Sequence, residues 1–334
     1  VAVRLFSEMR KLFGRSFPLS VLFQAPTVEK LADMIRKGGW SPQWTSLVPI
    51  QPGGSKPPFF CVHGGGGNVL IYRELARHLG EDYPFYGLQA RGLDGNKDYL
   101  TTTEAMAESY LREIRELQPE GPYYLGGFCM GGQVAFEMAQ RLIRDGEQVN
   151  LLFVIDTHNF NGVPPQFTLS EKVGNLGQKI VFHSSNILRL GFKRQFAYFA
   201  EKSKIALRRE MERLRIKIVH LFKLNPHRDV VRGTEEEFIE DINDRAFLAY
   251  KPVSYPGKMT ICKPRRNYAF LRDPFNGWGA VADGGLEIIE LPSDPGGIFL
   301  EPYVQTLAEK LKEQIEQAAA VGAEVHEPPE AVMK

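Results

Sequence analysis

The chain has 334 residues, of which 43% are hydrophobic and 24% are charged, and its formal net charge at pH 7 is +1. This composition is typical of a soluble globular protein with a large core, and the length suggests about two domains. A net charge so close to zero argues against recruitment of nucleic acid or membranes, and no apolar run approaches the roughly 18 residues of a membrane span.

The cysteine content indicates free thiols. Cys61, Cys129 and Cys262 are odd in number and widely spaced. They predict a reducing compartment such as the cytoplasm, and no Cys-x-x-Cys pair suggests a metal site. Charged residues interrupt the apolar positions of residues 1–14, which argues against a signal peptide.

The first 37 residues have a helical pattern. Val3, Phe6, Met9 and Phe13 fall near helical spacing, and Thr27 is placed to cap a second helix. So short a pair of helices cannot bury its own apolar stripes, so we expect it to be part of a larger domain or to pack on another surface. The Gly- and Pro-containing residues 38–45 resemble a linker.

Residues 46–318 alternate short apolar segments with helical ones. This alternation predicts an α/β fold with a mostly parallel sheet covered by helices on both faces. We expect helices near 70–79, 103–118, 131–145 and 302–317, and an acidic, mobile tail over 319–334. The predicted strands are Leu47–Gln51, Phe59–Val62, Phe85–Gln89, Tyr123–Gly126, Leu151–Asp156, Met259–Lys263 and Leu286–Leu291.

A long helical insertion over about 160–250 interrupts this alternation and is interpreted as a lid. Between Asn186 and Leu224 it carries eleven Lys or Arg residues against three Glu. The ordinary interpretation is a lid helix with a solvated basic face. A docking surface for an acidic carrier domain is the main alternative, and membrane contact is a third.

The strongest chemical signal is the segment from Tyr123 to Gly132, which reads Tyr-Tyr-Leu-Gly-Gly-Phe-Cys-Met-Gly-Gly. It predicts a strand that turns sharply into a helix, with flanking glycines that let the middle side chain project above the sheet. The usual motif is Gly-x-Ser-x-Gly, and here Cys129 occupies the serine position. The motif favours a nucleophile; the alternative is a buried structural cysteine at a tight turn.

A glycine loop, His63-Gly64-Gly65-Gly66-Gly67, follows the predicted strand Phe59–Val62. Backbone N–H groups of Gly64 or Gly65, together with that of Met130, are candidates for an oxyanion hole. No Gly-Lys-Ser/Thr follows, so the loop is not a P-loop. His63 itself is better explained as a structural residue that orients the loop than as a base.

Asp156 ends the predicted strand that begins at Leu151. Ligand crevices form at the carboxyl ends of parallel strands, so this carboxylate is well placed to orient a base. A helix-capping role is the alternative.

Together these motifs resemble the type I thioesterase domains, of the α/β-hydrolase fold, that terminate nonribosomal peptide and polyketide synthases. Further family-like phrases are Tyr86–Gly92, Gln118–Gly127 and Gly277–Gly279. Residues 1–37 resemble the C-terminal half of an acyl or peptidyl carrier domain. The resemblance implies that the pantetheine-bearing serine lies before Val1, so this chain would not load itself.

The resemblance assigns roles to individual residues. It implies that Cys129 is the nucleophile, that Asp156 is the triad acid, and that no metal or bound cofactor takes part. The acyl chain would arrive on the phosphopantetheine of an upstream carrier domain, which with the synthase modules would be the partner. No nucleic acid or membrane partner is expected.

The family histidine is missing from its usual place. Its motif is Gly-Asp-His-x-x-x-Leu-x-Glu-Pro, whereas Ser293–Pro302 reads Ser-Asp-Pro-Gly-Gly-Ile-Phe-Leu-Glu-Pro. Pro295 therefore occupies the histidine position, and proline has no titratable group. His158 is a candidate substitute base, although a surface histidine is the default interpretation. His183, His220, His227 and Asp294 have no family support.

A cysteine depends less on a base than a serine does, because a thiol is intrinsically nucleophilic. Without an intervening imidazolium, however, Asp156 would raise the pKa of the thiol. These features favour a chain-releasing thioesterase that transfers its acyl group to an amine or another nucleophile, with slow hydrolysis. The main alternative is a non-catalytic, gatekeeping module, and a free-standing esterase is a weaker third.

Overall fold

A computed structural model describes residues 5–6, 9, 12, 21–36, 45–93, 97–161, 235–265, 273–293 and 297–326. Most of the predicted lid, its basic segment and its histidines lie outside the described residues. Pro295 and Asp294 lie outside them as well, so their predicted roles rest on the sequence alone.

A seven-stranded sheet forms the centre of the fold. Its strand order is β1-β3-β2-β4-β5-β6-β7; β1 is antiparallel to β3, and every other neighbouring pair is parallel. The strands are β1 Leu47–Gln51, β2 Phe59–Val62, β3 Phe85–Leu88, β4 Tyr123–Phe128, β5 Val149–Ile155, β6 Met259–Pro264 and β7 Leu286–Leu291.

The described part of the chain contains seven α-helices. They are α1 Val21–Gln24, α2 Val28–Arg36, α3 Arg73–Leu79, α4 Thr103–Leu117, α5 Met130–Arg144, α6 Glu235–Ala249 and α7 Tyr303–His326, with a 3-10 turn at Leu70–Tyr72. Thr102 caps α4, because its side chain accepts a hydrogen bond from the Ala105 N–H at 3.1 Å. The predicted α/β-hydrolase arrangement of a mostly parallel sheet with helices on both faces is confirmed.

Each face of the sheet has its own apolar core. On one face α4 and α5 pack over β2, β4 and β5, with Tyr110, Phe136 and Trp278 fully buried. On the other face α3 and α7 pack together, with Tyr72, Phe85 and Phe153 fully buried. Both faces of the central strands are therefore apolar, which explains why β2 and β4 are continuous hydrophobic runs.

The N-terminal helices make a third, smaller cluster. Phe6, Met9, Val21, Ala25 and Leu31 are buried together in it. Phe23, partly buried, packs instead against the core beneath α3 and α7.

The structure corrects the predicted end of the C-terminal helix. Helix α7 continues past Ala318 to His326, so the expected tail at 319 begins too early. The helix continues because Gln317 to Ala320 are strong helix formers that outweigh the acidic, Pro-containing segment farther along the chain. In the described ranges, no helix is both long and apolar enough to cross a membrane.

Two glycines allow α5 to begin directly against the sheet. A Cβ atom at Gly131 would lie 2.1 Å from the carbonyl oxygen of His63, and one at Gly132 would lie 2.0 Å from Oγ1 of Thr157. Side chains at these positions would push the helix off the ends of β2 and β5, and with it the turn that carries Cys129.

Gly132→Ala should therefore lower the free energy of unfolding by about 1–3 kcal/mol, because a methyl group is forced into a filled space. Gly53→Ala is the matched control, because a Cβ there meets nothing within 4 Å. Its effect should stay within about 0.5 kcal/mol. Urea denaturation followed by circular dichroism measures both, and equal stabilities would show that the close contact does not constrain the helix.

Candidate active site

Cys129 stands between β4 and α5 with φ 55° and ψ −121°, a positive-φ conformation that is unusual for a residue other than glycine. Its N–H donates to the carbonyl of Ile155 at 2.9 Å, which ties the turn to the neighbouring strand. The residue is partly exposed. This is the sharp strand-to-helix turn that the glycine pattern predicted, and it places Cys129 just beyond the carboxyl end of β4.

Asp156 occupies the equivalent position on the next strand. It follows β5 with φ 45°, and its N–H donates to the carbonyl of Cys262 at 2.8 Å. Phe128 pairs with Ile155 in register, so Cys129 and Asp156 each follow a paired residue of adjacent parallel strands. Since such strands lie about 4.8 Å apart, the two residues are neighbours at the carboxyl edge of the sheet.

The thiol of Cys129 is held in its neutral form. Burial raises its pKa to about 12, and the negative charge of Asp156 adds to this shift, whereas a hydrogen bond from the Met130 N–H opposes it. The residue keeps some exposed surface, but the protein around the sulfur excludes most water. The expectation that the charge of Asp156 raises the thiol pKa agrees with this direction.

The pKa of Asp156 is shifted as well. Burial raises its pKa to about 6, and the ammonium of Lys263 on β6 opposes the shift. Its Oδ1 atom is buried and has no hydrogen-bond partner among the described residues. A buried carboxylate oxygen without a donor is costly, so this atom is arranged to receive one.

The glycine loop lies directly beside this turn. A Cβ atom at Gly64 would approach the ring of Phe128 to 2.8 Å, so only glycine lets the loop come so close to the end of β4. The N–H of Gly67 donates to the carbonyl of Gly64 at 2.9 Å, and the Asn243 side chain on α6 donates to that of Gly65 at 2.8 Å. These bonds fix the loop in place.

His63 belongs to the framework of this loop. Its Nδ1 donates to the carbonyl of Gly64 at 2.7 Å, so its Nε2 accepts from the hydroxyl of Tyr110 at 2.8 Å. Burial lowers the pKa of His63 to about 4. Both ring nitrogens are occupied and the ring is fully buried, which fits the structural interpretation.

His158 lies on the loop after Asp156. Its ring stacks on Phe160 with 6.1 Å between centroids, and its carbonyl accepts a hydrogen bond from Gln133 at 3.0 Å. Burial, followed by the charge of Lys263, lowers the pKa of His158 to about 4. The imidazole is therefore neutral at pH 7 and a weak proton acceptor.

Sequence reasoning missed two acids on α6. Glu240 and Asp244 both contribute to the raised pKa of Cys129. Asp244 reaches the glycine loop, because its Oδ1 would lie 3.6 Å from a Cβ atom at Gly65. The sequence assigned this helix to the lid and gave no signal that its acids face the nucleophile position.

No metal site coincides with this edge of the sheet in the described residues. Among the described residues, the cluster with the spacing of metal ligands consists of Glu74, His78 and Glu301, and it lies near the start of α7. Arg77 already donates to both of its carboxylates, at 2.7 and 3.3 Å.

Alkylation of Cys129 by iodoacetamide should report these charges. The rate should be slow at pH 7 and still rising above pH 9, because only the thiolate reacts. Asp156→Asn removes a negative neighbour, lowers the pKa of the thiol and should speed alkylation at pH 8 about tenfold, the equivalent of one pKa unit.

Asp145→Asn serves as the control, since this acid pairs with Arg115 at the far end of α5, about 22 Å away. A rate that levels off near pH 7 in the wild-type protein would instead reveal a thiolate–imidazolium pair.

Comparison with known proteins agrees with this geometry. Residues 57–171 match the family model of the thioesterase domain. A 164-residue stretch, 49% of the chain, is 40% identical to the dimodular nonribosomal peptide synthase of Bacillus subtilis and spans 7% of that protein. The chain spans only 7% of that synthase, so the activity of the whole synthase is not assigned to this chain.

Two solved structures share the fold. The NocB thioesterase domain, in covalent complex with a fluorophosphonate nocardicin G analogue, superposes with a TM-score of 0.54 at 20% identity, covering 82% of this chain and 99% of that one. A four-domain nonribosomal peptide synthetase bound to AMP and glycine gives a TM-score of 0.60 at 22% identity, covering 93% of this chain and 23% of that one.

The family match, the related synthetase and the shared fold agree with the glycine-flanked turn at the edge of the sheet. Residues 57–171 thus match a thioesterase domain, and the chain is similar to nonribosomal peptide synthases and to solved thioesterase domains.

Proposed function

We propose that this thioesterase domain releases an acyl or peptidyl chain from the phosphopantetheine arm of a carrier domain by way of a thioester on Cys129. The observation that supports this most directly is the turn itself. Cys129 sits in a strained, positive-φ conformation at the start of α5, with the glycine loop on one side and Asp156 on the other. Strained backbone of this kind persists where the surroundings enforce it, and it clusters at active sites.

The first step forms a bond between Cys129 Sγ and the acyl carbon and breaks the bond from that carbon to the pantetheine sulfur. The proton of the Cys129 thiol ends on the departing pantetheine thiol, so atoms and charge balance. One thioester replaces another, which makes the step nearly neutral in free energy. The N–H groups of Met130 and of Gly64 or Gly65 would stabilise the oxyanion that forms on the way.

The second step transfers the chain from Cys129 to a releasing nucleophile. Water or an alcohol needs a positioned base, which typically contributes about 10²- to 10⁴-fold to the rate. With Pro295 in the family histidine position and His158 a weak acceptor, no strong base of that kind is found near Cys129 among the described residues. An uncharged amine carries its own lone pair, so release as an amide or lactam is favoured over hydrolysis.

The proposed partners are the parts of the synthase that deliver the acyl chain. We propose that residues 1–37 are the C-terminal part of a carrier domain, that 38–45 are a linker, and that the thioesterase domain begins at 46. No metal or bound cofactor is required by the proposed chemistry, because the phosphopantetheine belongs to the substrate.

A gatekeeping role is the second candidate. The raised pKa of Cys129 leaves little thiolate at neutral pH, and Pro295 removes the usual base. A domain with these features could hold a carrier-bound chain without turning it over. Acylation of Cys129 separates the two functions.

Incubation with an acyl-pantetheine thioester should add one acyl mass to the protein, and Cys129→Ala should abolish the adduct. Peptide mapping should place the adduct on Cys129 and not on Cys61 or Cys262, because those two thiols are fully buried whereas Cys129 keeps some exposed surface. Intact mass spectrometry measures the adduct. Circular dichroism of Cys129→Ala should match that of the wild-type protein.

The possible outcomes differ clearly. Rapid turnover with no accumulating adduct would show that another base completes the reaction, and His158→Ala would then identify it by losing that turnover. Full activity in Cys129→Ala would remove the cysteine from the reaction. Neither adduct nor turnover with any acyl donor would support the gatekeeping role.

Restoring the missing histidine should change the fate of the acyl-enzyme. Pro295→His should raise the rate at which water discharges it by up to about 10²-fold, provided that the imidazole reaches both Cys129 and Asp156. Pro292→His is the matched control, because that residue is exposed on the same connection after β7. Discharge is followed by the loss of the adduct mass with time, and equal rates in both variants would show that position 295 does not face the nucleophile.

A further inference from the structure

Lys263 lies beside Asp156 at the carboxyl edge of the sheet. Ile155 of β5 pairs with Cys262 of β6, and the Asp156 N–H donates to the carbonyl of Cys262 at 2.8 Å. The residues that follow, Asp156 and Lys263, are therefore neighbours on parallel strands. Cys262 belongs to the core beneath α3 and α7, so the alternation of β6 turns Lys263 toward the opposite face, on which α5 follows Cys129.

The ammonium of Lys263 is enclosed by protein. The residue is 7% exposed, and its Nζ donates to the carbonyl of Pro274. A carboxylate oxygen of Glu290 on β7 lies 3.8 Å away, but that side chain is 46% exposed and solvent screens its charge. A buried cation needs a negative partner, and the buried Oδ1 of Asp156 is the unpartnered carboxylate oxygen on the next strand.

The segment that carries Pro274 is fastened to the strand end after Asp156. The side chains of Asn276 and Trp278 both donate to the carbonyl of Thr157 at 3.2 Å. Because Thr157 directly follows Asp156, these bonds hold the Pro274 carbonyl close to the carboxylate. The ammonium bonded to that carbonyl is therefore kept at this position by the fold.

Asp156 has the properties of a proton carrier. Its Oδ1 accepts no hydrogen bond within the described part of the chain. Burial raises its pKa to about 6, and the charge of Lys263 opposes that shift, so the carboxylate is ionised at pH 7 yet close to the range of an effective base. His158, with a pKa lowered to about 4, holds a proton less tightly. The remaining ionisable groups that act on Asp156 or on the thiol of Cys129 beside it are Cys262, Glu240 and Asp244.

We propose that Asp156 takes over the proton transfers that the family assigns to the histidine missing at position 295, and that Lys263 is the positioning residue that keeps its carboxylate ionised. This inference rests on the proposed function and makes it more specific, because it names the group that moves the proton. The supporting geometry is the row of Cys129, Asp156 and Lys263 at the ends of β4, β5 and β6, which are neighbours in that order.

Each step balances with the proton carried by Asp156. During acylation, Cys129 Sγ bonds to the acyl carbon while its proton passes to the carboxylate. The bond from that carbon to the pantetheine sulfur breaks, and the carboxylic acid returns the proton to the departing thiolate. During release, the amine nitrogen bonds to the acyl carbon and gives its proton to Asp156, which then protonates the departing Cys129 thiolate. Asp156 ends each step as a carboxylate, and no further reactant is consumed.

The strength of this base fits the preferred nucleophile. A thiol with a pKa of about 12 does not give its proton to a carboxylate with a pKa of about 6 in the resting site, so the proton moves only as the new bond forms. An amine that attacks a thioester becomes positively charged and readily loses a proton to such a carboxylate. Water is a much weaker nucleophile and depends on a stronger base, so the pair supports release to an amine.

Asp156→Asn separates proton transfer from charge, because it should change two reactions of the same thiol in opposite directions. Alkylation by iodoacetamide needs only the thiolate, so it should become about tenfold faster at pH 8 as the thiol pKa falls. Formation of the acyl adduct from acyl-pantetheine needs a proton carrier, so it should become at least about tenfold slower. Intact mass spectrometry follows both reactions. If Asp156→Asn speeds both, Asp156 does not carry the proton.

The role of Lys263 is tested without an acyl donor, by the pH profile of Cys129 labelling with methyl methanethiosulfonate. Ionisation of Asp156 raises the pKa of the thiol, so the plot of log rate against pH should be displaced near pH 6, and Asp156→Asn should remove that displacement. Lys263→Met removes the cation that lowers the pKa of Asp156, so the displacement should move up by at least about one pH unit. Lys263→Gln, which keeps a donor for the Pro274 carbonyl, should do the same, whereas Lys263→Arg keeps the charge and should leave the displacement near pH 6.

Lys258→Met is the matched control. Lys258 precedes β6 at the opposite end of the strand and pairs with Glu287 at 2.7 Å, so its loss should leave the displacement in place. An unchanged profile in Lys263→Met and Lys263→Gln, or an equal shift in Lys258→Met, would overturn the role of Lys263. If no adduct forms from any acyl donor, the proposed function fails and the proton-carrying role with it, whereas the labelling profile still decides whether Lys263 sets the ionisation of Asp156.

Discussion

Cys129 holds a backbone conformation, φ 55°, that a residue other than glycine adopts only when its surroundings enforce it. The hydrogen bond from its N–H to Ile155 and the contacts that forbid a side chain at Gly131 and Gly132 provide that enforcement. The same turn begins α5, places Cys129 beyond the carboxyl end of β4 and gives its sulfur a hydrogen bond from the N–H of Met130. The other groups of the site are arranged around this turn. If α5 moved away from the sheet, Cys129 would no longer lie beside Asp156 and the glycine loop.

The charges around the turn are unusual for a cysteine nucleophile. Reactive cysteines generally lie in electropositive surroundings that stabilise the thiolate. Here burial and the carboxylate of Asp156 both act against the thiolate, and the acids on α6 act in the same direction. Lys263 offsets part of this field at Asp156, but its ammonium is committed to Pro274 and Glu290.

The sequence predicted those parts of the fold that depend on local patterns. Apolar runs located all seven strands, and the glycines around Cys129 located the turn, because close backbone approach leaves a direct mark on residue type. The C-terminal helix was predicted too short, since helix propensity beyond Ala318 was given too little weight. The acids on α6 could not be predicted, because their contact with the glycine loop joins residues far apart in the chain. Nothing in a charged, amphipathic segment such as Glu235–Ala249 shows which of its faces meets the sheet.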